Sequence, residues 1–158
     1  MATFIAGRYT ATWNSLALGQ TADGFRSSHS IFKRLITGDA FAQAPQDAIY
    51  QGAEVFMAGR LIQYDAAAMP TIMWPYASTF LDMGIIGRAD VGTSLAKSLI
   101  LTAISGTPAA AAPATLTLPN SILAEGFPIE LLFAPDLREV PLRMRVYPNS
   151  SGIFGTQT

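Results

Sequence analysis

Residues 139–147 read Glu-Val-Pro-Leu-Arg-Met-Arg-Val-Tyr, and this alternation sets the fold class of the whole chain. Val140, Leu142, Met144 and Val146 fall on one side, with Glu139, Arg143, Arg145 and Tyr147 on the other. A strict period of two marks a half-buried strand. Such a strand needs neighbours in a sheet with one covered face, which antiparallel sheets provide. Pro141 sits in the polar row and has no N–H to donate, so an edge position is expected at that end.

Working outward, the same period recurs. Arg8, Thr10 and Thr12 alternate with Tyr9, Ala11 and Trp13, and Asn14-Ser15 supplies turn residues. Two strands are expected around 16–20 and 25–34, joined by a hairpin turn at Asp23-Gly24. Residues 53–64 read as a long strand covered on much of both faces. Residues 95–104 are strand-like, although their Leu, Ala and Lys also suit helices. Ala114-Thr-Leu-Thr-Leu118 alternates and is expected to stop at Pro119-Asn120, and 128–133 form a further apolar strand. One amphipathic helix is expected between Thr71 and Gly84, where Met73, Tyr76, Ala77, Phe80, Leu81 and Gly84 share a stripe and Pro75 fits only the first turn.

Three segments lack a period. Residues 37–52 are punctuated by Gly38, Pro45 and Gly52 yet carry Phe41, Ile49 and Tyr50. A long loop with its own hydrophobes is unusual inside a domain, and functional where it occurs. Ser105–Pro113 is an alanine-rich hairpin tip, and the Ser/Gly/Thr-rich tail 149–158 is expected to be mobile in an isolated subunit. Seven or eight strands, short turns and one helix give a mainly β chain. The expected fold is a single domain over 1–158, an antiparallel β-sandwich or barrel with one packed α-helix and a long loop.

Composition narrows the function. Charged residues make up 13% of the 158 and hydrophobic residues 50%, against roughly 25% charged in an ordinary domain. So few charges cannot solvate the surface generously, and self-assembly is the direct physical reading, because interface cores are poor in charge. With no cysteine there are no disulfides, thiol nucleophiles or Cys-based metal sites. The net charge of −1 comes without any Lys/Arg run, so the basic footprint of a nucleic-acid binder is missing. No apolar run reaches the ~20 residues needed to cross a bilayer, and Met1–Arg8 does not read as a secretory signal. A soluble, unsecreted protein is expected.

No catalytic constellation emerges, and no enzyme activity, cofactor or metal is expected. His29 is the single histidine and lies in Ser27-Ser-His-Ser30, which suits a surface or interface hydrogen bond. Ser94-Leu-Ala-Lys97 matches a Ser-x-x-Lys pattern without its companion motifs. Asp82, Asp90 and Glu125 are isolated carboxylates, and Arg138, Arg143 and Arg145 form either an ion-paired face or a phosphate-facing patch.

Taken together, Gly7-Arg-Tyr-Thr-Ala-Thr-Trp-Asn-Ser-Leu-Ala-Leu-Gly19, Thr21-Ala-Asp-Gly24 and Leu131–Pro148 resemble the first hairpin and the final strands of bacteriophage tail tube proteins. That resemblance implies a subunit forming hexameric rings that stack into a hollow tube in the virion tail, after assembly in the host cytoplasm. The partners implied are copies of the chain and the tape measure, terminator and sheath proteins, with DNA passing through the lumen unbound. In this reading Phe41, Ile49 and Tyr50 are the oligomer-interface anchors. The alternatives are a capsid decoration, head-completion or baseplate protein, a small-molecule-binding barrel lined by Trp13, Trp74 and Phe80, or a hydrolase using Ser94 and Lys97.

Overall fold

A computed structural model describes residues 8–39, 44–65, 71–72, 95–105, 114–126, 128 and 139–158. The chain forms β1 (Tyr9–Trp13), β2 (Leu16–Ala17), β3 (Gln20–Thr37), β4 (Pro45–Gln63), β5 (Lys97–Ala103), β6 (Thr115–Leu123), β7 (Val140–Tyr147) and β8 (Thr156–Gln157). All pair antiparallel in one sheet ordered β2-β1-β5-β6-β7-β4-β3, with β8 alongside β6. The fold is therefore mainly β and antiparallel. The sheet is open, since no ladder joins β2 to β3 among the described residues. Thr71 and Ile72 are helical. The rest of the expected helix, the 128–133 strand apart from Pro128, and Phe41, Trp74, Phe80, Asp82, Asp90, Ser94 and Arg138 lie outside the described residues.

Connectivity curls this sheet. β2 and β3 stand at opposite ends of the strand order, yet only Leu18 and Gly19 separate them in the chain. Three Cα–Cα steps span at most about 11 Å, so the two ends of the sheet must come together at this point. Gly19 has a φ of 100° and its α-carbon faces the Gln63 carbonyl so closely that a Cβ would overlap it. Leu18 is fully buried, and its N–H donates to the Ala11 carbonyl at 2.9 Å. Asn14 and Ser15, at φ 50° and 64°, make the tight turn before it, as their residue types predict.

Inside the curl, one face of the strands meets one core. Ala11 and Trp13 of β1, Val55, Met57 and Leu61 of β4, and Leu99 and Leu101 of β5 join it. So do Leu118 and Leu123 of β6 and all four inward residues of β7, with Leu18 and Ile72 completing the cluster. The alternation read from 139–147 is thus the observed one: Val140, Leu142, Met144 and Val146 are buried and Arg143 is exposed. Pairing with β6 covers only Met144–Tyr147, so at Pro141 β4 is the sole neighbour among the described residues. The missing N–H therefore interrupts no ladder there.

Two boundaries in the body differ from the sequence expectation. Asp23-Gly24 is no hairpin turn. It is a bulge within β3, where Thr21 pairs with Leu61 and Phe25 with Gly59, and Gly24 takes a φ of 81°. β6 does not stop at Pro119-Asn120 either. The register jumps from Leu99↔Leu118 to Lys97↔Ser121, so one extra residue is absorbed and the parity reverses. Ser121 then points inward and is fully buried. Its hydroxyl donates to the Lys97 carbonyl at 3.0 Å, and its own carbonyl accepts from Trp13 Nε1 at 2.8 Å. Burying a polar residue is tolerable here because each group is bonded.

The tail 149–158 also departs from the loose segment its composition suggests. Asn149 Oδ1 accepts from the N–H groups of Ser151 and Ile153, and Thr115 and Thr158 exchange both backbone hydrogen bonds. β8 adds a short strand beside Leu116 and Thr117. Gly155 permits that approach, since a Cβ would lie 2.6 Å from Leu118 Cδ2.

Trp13→Phe should keep the ring packing but leave the buried Ser121 carbonyl without its donor, a cost of ~1–3 kcal/mol. Urea unfolding should report that loss as a lower midpoint at unchanged slope; an unchanged midpoint would show that the Trp13–Ser121 bond contributes nothing net.

Candidate assembly surface

The two longest strands, of 18 and 19 residues, pair with each other and outrun the rest of the sheet. β4 is flanked by β7 only from Val55 to Leu61. Beyond that, β3 and β4 continue as a two-stranded ribbon from Ser30↔Glu54 to Thr37↔Pro45. At ~3.3 Å per residue this arm is about 25 Å long. Residues 45–52 are therefore strand and not loop, which corrects the 37–52 boundary. The period is hidden by a register shift at Gln51, where Phe32 pairs with Gly52 and Lys33 with Tyr50. Gly52 takes a φ of 143° to accommodate it.

Directly opposed residues of an antiparallel pair share a face, so the register sorts the arm. The face continuous with the core carries Ile31, Lys33 and Leu35 with Ala53, Tyr50 and Ala48; the other carries Phe32, Arg34 and Ile36 with Gly52, Ile49 and Asp47. Apolar side chains stand open on both. Ile31 is 63% exposed, Tyr50 60%, Leu35 59%, Ile49 55%, Phe32 47% and Ile36 39%. A lone two-stranded ribbon is marginal in water. Contiguous exposed apolar surface of this kind marks an interaction site. Moreover, the outer edge of β3 has no partner strand among the described residues, leaving a row of unpaired backbone groups.

Two of the three expected anchors, Ile49 and Tyr50, thus lie on this arm, on opposite faces; Phe41 is outside the described residues. Sequence reading missed Ile31, Phe32, Leu35 and Ile36 as their companions. A signal was present: Ile-Phe-Lys-Arg-Leu-Ile puts apolar residues on both parities, the pattern of a ribbon covered on two sides.

The body beside the arm is polar on its outer face. Arg60 bridges Asp23 at 2.6 Å and Glu139 at 2.9 Å. Arg145 bridges Glu54 at 3.2 Å and also Glu125, to which its Nε donates at 2.8 Å. Arg143 and Arg145 both lie over the Phe56 ring, at 4.2 and 4.5 Å from its centroid. Of the arginine patch, Arg145 is therefore ion-paired and stacked and Arg143 is stacked. Its hydrogen bond to Arg145 holds the Glu125 carboxyl below the usual carboxylate range, and hydrogen bonds to Glu125 and Glu54 raise Arg145 in turn.

His29 is exposed on β3, with Nε2 2.9 Å from the Ser27 hydroxyl. Among the described residues no group of three His, Cys, Asp or Glu could hold a metal ion, and no helix is long and apolar enough to cross a membrane. No protein-family model matches the chain, and no curated protein is significantly similar to it.

Because Glu125 has a depressed folded pKa, its ion pair contributes above the unfolded value of ~4.3 and is lost as pH falls through the folded value. Thermal midpoints of wild type and Glu125→Gln should differ slightly at pH 7, given the 63% exposure of the Glu125 side chain, and converge toward pH 3. A gap that is constant with pH would refute the pairing.

Proposed function

We propose that this protein is a structural subunit that works by assembling with copies of itself, and that its assembly is a bacteriophage tail tube of stacked rings. The observation that carries the reading is the arm: a ribbon about 25 Å long, with exposed apolar side chains on both faces and no covering strand among the described residues. Three features support it. Charge is sparse, at 13%. The strands on either side of the Leu18-Gly19 link come from opposite ends of one curled sheet, as a sandwich or barrel subunit requires. The opening hairpin and closing strand carry the residues that resemble tail tube proteins. In this reading the curled body forms the ring wall, the arm reaches a neighbour, and DNA passes through a lumen without a basic patch to retain it.

The role is passive and needs no active site, cofactor or metal. Negative-stain electron microscopy of the purified protein over a concentration series should show rings or hollow tubes of uniform diameter. Replacing Phe41, Ile49 and Tyr50 together by Ser should abolish them while the far-ultraviolet circular dichroism stays that of the wild type. Tubes that persist in the triple variant would remove the arm from the assembly. A strict monomer at every concentration would instead favour a decoration protein or a ligand-binding barrel.

A further inference from the structure

We draw no further inference here: the strongest candidate, the β3–β4 arm with exposed apolar side chains on both faces, carries none because nothing in the structure shows what covers either face.

Discussion

The two-residue link Leu18-Gly19 is the constraint on which the rest of the structure depends. It joins strands that the hydrogen-bond order places at opposite ends of the sheet, so the sheet has to curl until those ends meet. Curling brings one face of the strands onto one core and turns the other outward. Gly19 is required because a side chain would collide with the Gln63 carbonyl at a φ of 100°. Leu18, next to it, is sealed into the core. A fixed point at one corner of the sheet then determines where β3 begins and β4 ends, and so where their far ends emerge.

From that fixed root the two strands run past the body, and their chemistry changes as they leave it. Along the body β4 buries Val55, Met57 and Leu61 on one face and sets Glu54 and Arg60 on the other. Past Glu54 the division between covered and solvated faces ends, and hydrophobes occupy both parities. The body behaves as a folded domain with an ion-paired exterior, while the arm behaves as a piece of core carried outside. The proposed self-assembly would reconcile the two, because an apolar ribbon is stable only where something covers it.

Much of the body was legible in the sequence. Period-two alternation places β1 and β7 correctly, since each buries one parity against a common core. The turn at Asn14-Ser15 follows from residue type. What escaped reading were the bulges. At Gln51-Gly52 and Pro119-Asn120 one extra residue, and at Asp23-Gly24 two, interrupt the pairing without ending the strand. Gly, Pro, Asn and Asp are ambiguous at such points, because the backbone freedom that makes a turn also makes a bulge. The arm was half legible for this reason: Ile49 and Tyr50 stood out as hydrophobes, but the shift at Gln51 disguised their strand as a loop. The tail's pairing with β6 rests on backbone hydrogen bonds, which composition does not encode.

The sharing of each arginine by two carboxylates has a consequence for how this surface can vary. Removing Asp23 or Glu139 alone leaves Arg60 with one partner, and removing Glu54 or Glu125 alone does the same for Arg145. Only the second loss within a pair strands a guanidinium, so the two losses are not additive. These four acidic positions are thus coupled by epistasis in twos, and the larger part of the cost of drift at any one of them is deferred until its counterpart has also changed.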